Sequence, residues 1–412
     1  MRVCLVSGEF PPMQGGVGDF TREIGFALNR LGATVNVVSS ARAVQPRGGA
    51  VSRDGGSLLE RDGSQLAVYP VIERWGFSSW SRVATLLERT ESQILNIQYQ
   101  TAAYQMHPAV NLLPWRLRLR RNRPKVVATF HDLKVPYLFP KAGPVRSWVT
   151  RALIRGCDAT IVTNAEDRLE AKQRYRAGNL HLFPIGSNVD PQAPAEYDRE
   201  EWRRRWGVGE DEILLCYFGF LNESKGGEVL FRALARLVAS GARVKLLMIG
   251  GKVGSSDPTN AAYLQKVETL IRRLSLTDYV SWTGYVDGPE VSASFWASDI
   301  CVLPYRDGVS FRRGTLMAAL AHGMPIVSTH PRVNVAEIID GENMVLAPPE
   351  DPEALAGRVR ELAHSAELRE RLAQGATELS RLFSWESIAE DTLELFERVL
   401  GGGKQVARTY SL

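Results

Sequence analysis

At 412 residues, 44% hydrophobic and 23% charged, the chain is too long for one ordinary hydrophobic core and has the composition of a soluble globular protein of two domains. A net charge of +4 argues against nucleic acid as a partner bound by global charge, so any polyanion must be held by a local basic patch. The opening MRVCLVSGEFPP fits neither a signal peptide nor a spanning helix, and no later run reaches the ~18 apolar residues of a membrane span. The expected location is the cytoplasm, in solution or peripheral to the inner face of a membrane.

Short β-branched or apolar runs alternate with longer segments of helical period, which is the pattern of parallel βαβ units. RVCLVS, ATVNVVS, QILNIQ, KVVATF and DATIVT are the predicted strands of the first half. Between the first two, Phe20, Ile24, Ala27, Leu28 and Leu31 form one helical stripe that Gly32 ends. The segment 191–211, rich in charge and broken by two prolines, is predicted to be the interdomain linker. The pattern then restarts with strands ILLCYF, RVKLLMIG, YVSWTG, ICVLPY and PIVST, and with helices expected near 227–240, 259–275, 289–298 and 315–322. Beyond Glu350 only helical patterns follow. The expected domains are therefore 1–190 and 191–385, with a last helix in 386–412 crossing back onto the first domain and a frayed tail. Cys4, Cys157, Cys216 and Cys301 are too far apart in sequence to form a metal or redox pair and read as buried apolar residues.

Four stretches carry chemistry. Gly15, Gly16 and Gly18 stand directly before the first helix, where bare backbone can approach a ligand and helical N–H groups can face an anion; a plain turn is the other reading. His131 and Asp132 follow an apolar strand, at the edge where open α/β sheets bind ligands. In YFGFLNESKGG, Lys225 lies between a strand end and a helix start with Gly219, Gly226 and Gly227 around it. That is a place for a diphosphate, or for a solvated loop lysine. In PYRDGVSFRRGTLMAALAHGMPIVST, Arg312 and Arg313 lead through Gly314 and Thr315 into a short helix, so that two guanidinium groups flank unpaired helix N–H groups.

Together the GGVG loop, the HD pair, PIGSNVD, GFLNESKG, AALAHGMPIVST and FSWESIAEDTLELFERVL resemble the retaining GT-B glycosyltransferases of glycosyltransferase family four, in the right order and over nearly the whole chain. The resemblance implies an α/β protein of two Rossmann-like domains facing each other across a cleft. It implies a hexosyl-type transferase that takes a nucleotide-diphosphate sugar as substrate, uses no cofactor, and retains anomeric configuration by front-face attack, the leaving phosphate helping to accept the acceptor's proton. By position, Gly15 and Gly16 approach the donor phosphates, His131 touches the donor sugar, Lys225 binds the diphosphate, and Gly314, Thr315 and Leu316 offer it backbone N–H groups. The expected catalytic set is His131 and Lys225, by the resemblance, with Arg312 and Arg313. The chain departs from the family at Phe220, where an arginine is usual, and at Ser310 and Ala318, which stand where the family carries two glutamates. Arg312 or Arg313 is expected to replace the missing arginine.

No D-x-D tripeptide and no cluster of histidines and carboxylates with metal-ligand spacing occurs in the sequence, so no metal is expected and the cations must act on the leaving group. Residues 115–125, WRLRLRRNRPK, hold six basic residues and no acid, with Trp115, Leu117 and Leu119 interleaved, as on an element lying at an anionic membrane surface or on a solvated helix face. The acceptor is open: a sugar, a lipid-linked sugar or another molecule. Two rival functions fit the same fold, a sugar-nucleotide-binding pseudoenzyme or sensor and a GT-B sugar-nucleotide epimerase.

Overall fold

A computed structural model describes residues 1–13, 15–44, 52, 55–133, 143–251 and 258–401. They form two compact units: Met1–Gly186 joined by the segment that begins at Trp385, and Ser187–Ser384.

The first unit is built on β1 (Arg2–Ser7), β2 (Thr34–Ser40), β3 (Ser57–Arg61), β4 (Ser64–Ile72), β5 (Ile94–Tyr99), β6 (Lys125–Phe130), β7 (Ala159–Val162) and β8 (Leu180–Leu182). Their order in the sheet is β3-β4-β2-β1-β5-β6-β7-β8; only the β3–β4 hairpin is antiparallel. The five predicted strands are β1, β2, β5, β6 and β7. The hairpin and β8 were not expected. The hairpin turns at Asp62 (φ 49°) and Gly63 (φ 75°), the Asp-Gly pair that suits a tight hairpin. Pro70 in β4 sits beside the register shift at Ser39/Ser40, where a missing N–H is tolerated.

The first βα connection is α1 (Gly16–Arg30), whose stripe buries Phe20, Ile24, Ala27 and Leu28, while Leu31 lies just past the helix end and is exposed. Helices α2 (Ser79–Arg89), α3 (Ala109–Leu117), α4 (Gly143–Gly156) and α5 (Ala165–Gln173) make the remaining crossovers. Glycine is required at Gly186, where a Cβ would lie 2.6 Å from the ring of Trp385.

The second unit opens with α6 (Arg199–Arg205), which lies inside the stretch expected to be linker. The helix forms there because the Asp198 side chain accepts from the Glu201 N–H at 2.7 Å, a good N-cap. It docks through buried Trp202 and through Arg203, which pairs with Asp299 at 2.9 Å. The chain instead leaves the first unit between Gly186 and Ser187. There follow β9 (Ile213–Phe218), α7 (Gly227–Ala239), β10 (Val244–Ile249), α8 (Pro258–Arg273), β11 (Val280–Gly284), α9 (Gly288–Ala297), β12 (Ile300–Leu303), α10 (Gly314–Ala321), β13 (Ile326–Thr329), β14 (Val345–Ala347), α11 (Pro352–His364) and α12 (Ala366–Ser380). The sheet order is β11-β10-β9-β12-β13-β14, parallel throughout. The last helix, α13 (Trp385–Leu400), belongs to the first unit, where Ile388, Leu395 and Phe396 join the core formed with Phe20 and Ile24. Cys4, Cys216 and Cys301 are buried and no cysteine is bridged.

Both sheets reverse direction at their centre. In the first, the chain steps from β1 outward through β2 and then crosses to β5; in the second it steps from β9 through β10 and β11 and crosses to β12. Open α/β sheets bind ligands outside the carboxyl ends of the strands at such a switch point.

Candidate active site

In the second unit, two loops leave the adjacent strands β9 and β12 at the switch point. After β9, Gly219 (φ 98°) turns the chain, and Asn222 caps a single turn of 3-10 helix by accepting from the Lys225 N–H at 3.1 Å. Gly226 (φ 71°) then starts α7 at a place where any Cβ would overlap the Pro304 carbonyl oxygen. A left-handed backbone in so little space admits glycine alone. After β12, the loop is pinned by Arg306 N–H donating to Ser224 O at 2.9 Å and Val309 N–H to Thr329 O at 3.1 Å. The Thr329 hydroxyl adds a bond to Tyr305 O at 2.6 Å.

These loops bring the predicted cations together. Arg312 and Arg313 both donate to Asp307, Arg312 at 2.6 Å. Arg313 also reaches the Ser224 hydroxyl at 3.4 Å and lies 4.9 Å above the ring of Tyr305. Lys225 is half-buried, and its ammonium stands 3.2 Å from where a Cβ on Gly219 would project, opposite the methyl of Thr315 at 2.6 Å. Burial, and then the neighbouring Arg313 charge, push the Lys225 pKa down to about 8. An ammonium held where it is poorly solvated and next to a second cation gains most when an anion arrives.

Of the N–H groups expected from α10, Leu316 is committed, donating to Arg313 O at 2.9 Å. Those of Gly314 and Thr315 have no partner among the described residues, and the cap residue Arg313 supplies no side-chain acceptor. The Thr315 side chain is held by Tyr305, hydroxyl to hydroxyl at 2.6 Å. Ser310 is buried with its hydroxyl unpaired among the described residues. Ala318 is fully buried on the inner face of α10. Phe220 covers the backbone at Gly251, where a Cβ would meet its ring at 2.9 Å. Asp307, Tyr305 and Ser224 were not singled out from the sequence, although Asp307 lies only five and six residues before the arginines it holds.

In the first unit the start of α1 carries a group that was not singled out from the sequence, Glu9. Glu9 folds its carboxylate over the start of α1 and accepts from the N–H groups of Val17 at 3.1 Å and Gly18 at 3.4 Å, so the helix end already carries an anion. Burial raises the Glu9 pKa and these two bonds oppose the rise. At Gly15 a Cβ would overlap that carboxylate, whereas at Gly16 it would meet nothing within 4 Å. Nothing in the chain's own packing asks for glycine at Gly16, and its backbone is open to approach.

His131 follows β6 directly. Its backbone N–H donates to Tyr99 O at 3.0 Å, its ring packs edge-on to Phe20 at 4.6 Å, and Phe20 in turn meets Trp385 at 5.2 Å. Nε2 lies 2.9 Å from Gln98 Oε1. Burial pushes the imidazole pKa down to about 3, so the ring is neutral at any physiological pH. The segment 134–142 after Leu133 lies outside the described residues.

Two α/β units with polar loops gathered at the carboxyl edge of a direction-switching sheet define the GT-B class. The glycosyl transferases group 1 model matches residues 198–379 and the glycosyl transferase 4-like domain model residues 15–186. Among curated proteins the chain is similar to a D-inositol 3-phosphate glycosyltransferase of Nocardioides sp., 29% identical over 58% of this chain and 53% of that protein. The match thus spans about half the length of that relative. Among solved structures, sucrose-phosphate synthase from Thermosynechococcus elongatus superposes with a TM-score of 0.73 at 21% identity, over 97% of this chain and 99% of that one. Anabaena HepE in complex with UDP and glucose superposes with a TM-score of 0.73 at 17% identity, over 97% and 100%. The chain belongs to the GT-B glycosyltransferases of the family-four type, as its ordered motifs implied.

Proposed function

We propose that this chain transfers a sugar from a nucleotide-diphosphate sugar to a hydroxyl acceptor with retention of anomeric configuration, and that Lys225 and Arg313 receive the departing diphosphate. The observation that carries the reading is the gathering of cations at one sheet edge: Arg312 and Arg313 share the single carboxylate of Asp307, Arg313 lies within Coulombic reach of Lys225, and the N–H groups of Gly314 and Thr315 have no partner among the described residues. In the reaction the bond from the anomeric carbon to the phosphate oxygen breaks and negative charge builds on that oxygen. The bond to the acceptor oxygen forms on the same face, and the acceptor's proton passes to the leaving phosphate. Fixed cations and amide dipoles aimed at the developing charge need no reorganisation when it appears. Arg313, within Coulombic reach of Lys225, takes the part of the arginine that Phe220 replaces. Arg312 holds Asp307 from the other side. Gly16 lets backbone approach substrate, and neutral His131 reads a sugar hydroxyl.

On this reading the cations of the chain do the work that a divalent ion would do, and EDTA is expected to leave the rate unchanged. The test is a transfer assay with a panel of nucleotide sugars and hydroxyl acceptors, the product's anomeric configuration read by NMR. Retained configuration in the presence of chelator is expected. Inverted product, turnover that returns only with magnesium, or release of free sugar whatever acceptor is present would refute the reading.

A lipid-carried acceptor at an anionic membrane surface is part of the proposal. Trp115 and Leu119 near the end of α3 and Val145 and Trp148 on α4 are exposed large apolar side chains, and α3 packs directly on α4, with Trp115 donating to Ala152 O at 2.7 Å. Arg120 pairs with Glu88, and Arg123 and Lys125 share Asp158, so two carboxylates offset two of the six positive charges in 115–125. Arg116 and Arg121 remain for lipid phosphates, worth about 1 kcal/mol each near the surface, while Arg118 donates to Arg155 O at 3.1 Å and lies over the Trp115 ring. No helix among the described residues is long and apolar enough to cross a membrane. Co-sedimentation with anionic vesicles that fails for neutral vesicles, and falls in Trp148→Ala, supports the surface; equal pelleting with both refutes it.

A further inference from the structure

Strand β5 carries two buried amides on one face, Asn96 and Gln98, two residues apart and only 2% and 1% exposed. Period-two alternation puts both toward the same layer, where apolar side chains would pack more simply. The ladder with β6 pairs Asn96 with Val127 and Gln98 with Thr129. From there the hydrogen bonds run in one direction. Asn96 Nδ2 donates to Val127 O at 3.2 Å and to the Thr129 hydroxyl at 3.0 Å. Its Oδ1 accepts from Gln98 Nε2, and Gln98 Oε1 lies 2.9 Å from His131 Nε2.

A carbonyl oxygen can only accept, so the Val127 end sets the polarity of the whole chain. Turning Asn96 over would place its oxygen against the Val127 oxygen with no hydrogen between them, deep in the sheet, and would leave Gln98 without an acceptor. With Asn96 and Gln98 both fixed, only an acceptor faces His131, and Nε2 must carry the proton. Nδ1 is then a bare lone pair, and among the described residues no group donates to it. Phe20 packs against the ring, centroids 4.6 Å apart.

We infer that Asn96 and Gln98 are positioning residues, a buried amide relay that locks His131 in the tautomer with hydrogen on Nε2 and so presents Nδ1 as a permanent acceptor for a substrate hydroxyl. The ligand class is a sugar that donates one hydroxyl to Nδ1, and this part rests on the proposed sugar transfer. His131 is on this account neither a general acid nor a cation at the leaving group. Imidazole often supplies both tautomers and a proton, and the relay removes that freedom in exchange for a fixed acceptor. The depressed basicity of the ring fits the same picture, which stands on the direction of the bonds.

The experiment uses the full chain labelled with 15N-histidine, His131 being assigned among the six histidines by the signal that disappears in His131→Asn. The expected spectrum of the ligand-free protein shows a neutral ring protonated on Nε2 between pH 5 and 8. A proton on Nδ1, or an imidazolium at pH 7, would overturn the relay. Gln98→Met keeps length and removes the acceptor; it should give a mixture of tautomers, and an unchanged single tautomer would also overturn it. For the hydroxyl, wild type is expected to prefer the true donor over the matching deoxy-sugar donor by about two- to tenfold in kcat/KM, the range of one neutral hydrogen bond. Gln98→Met should shrink that preference, the true donor losing more than the deoxy donor. An equal fall for both donors would overturn the hydroxyl assignment. Absence of any transfer with the tautomer as expected would retain the relay and count against the proposed function alone.

Discussion

The same edge of the same kind of sheet is furnished in opposite ways in the two units. Beyond β5 and β6 the first unit gathers neutral groups, Asn96, Gln98, Thr129 and His131, and satisfies the start of α1 with its own carboxylate, Glu9. Beyond β9 and β12 the second unit gathers Arg312 and Arg313 on Asp307 with Lys225 beside Arg313, and leaves two N–H groups of α10 unpaired among the described residues. A helix N-terminus attracts anions wherever it stands, so the fold alone does not choose between the two edges. The choice lies in the side chains: an edge whose helix end is already neutralised suits hydroxyl groups, and one with surplus positive charge suits phosphate.

The largest contrast is in how the two glycine loops bear a methyl group. Gly226→Ala combines a left-handed backbone with overlap on the Pro304 carbonyl and should cost about 3 kcal/mol in the second unit, read as a lower urea midpoint for that unit's transition. Next in size, Lys225→Ala should slow turnover about ten- to a hundredfold, since one charge-assisted bond of about 1.5–3 kcal/mol is lost in the transition state. KM should move less, because the charge develops mainly after binding.

The pH dependence sharpens the same point. The Lys225 pKa is about 8 in the free chain, below its unfolded value near 10.5. The unfolded state therefore binds more protons between those values, and the stability of the free chain should rise with pH through that window. A bound diphosphate raises the pKa again, so affinity for nucleoside diphosphate should be flat below pH 8 and fall above it, in a calorimetric titration across pH. Lys225→Ala should lack the inflection, and its persistence would place the titrating group elsewhere. The smallest effect is expected at Gly16→Ala, where a Cβ meets nothing: stability within about 0.5 kcal/mol of wild type, with a several-fold loss of activity if backbone there meets substrate. Full activity would remove Gly16 from the site.

Much of the fold could be read because its strands are short apolar runs separated by helical periods, and because Gly219 and Gly226 mark turns that other residues cannot make. What escaped depends on partners distant in sequence. QILNIQ reads as an apolar strand, and only its ladder with β6 shows that Asn96 and Gln98 form a relay to His131, 33 residues beyond Gln98. Glu9 looks like a loop residue until the turn at Pro11 and Pro12 brings it over α1. The β3–β4 hairpin was legible in Asp62–Gly63 but lies in a stretch where alternation is weak. Segment 191–211 looked like linker because its charges are dense, and Arg203 shows why that inference failed: the charge is spent inside the unit, on Asp299.

On the proposed reading Lys225 and Arg313 form the diphosphate site of the second unit without help from a metal. The most direct test is calorimetric titration of a panel of nucleoside diphosphates into the full chain at pH 7 with EDTA present, repeated for Lys225→Ala and Arg313→Ala. At least one diphosphate is expected to bind wild type, and each substitution to weaken it about ten- to a hundredfold. Affinity unchanged in both variants, or binding that appears only when magnesium is restored, would contradict that reading.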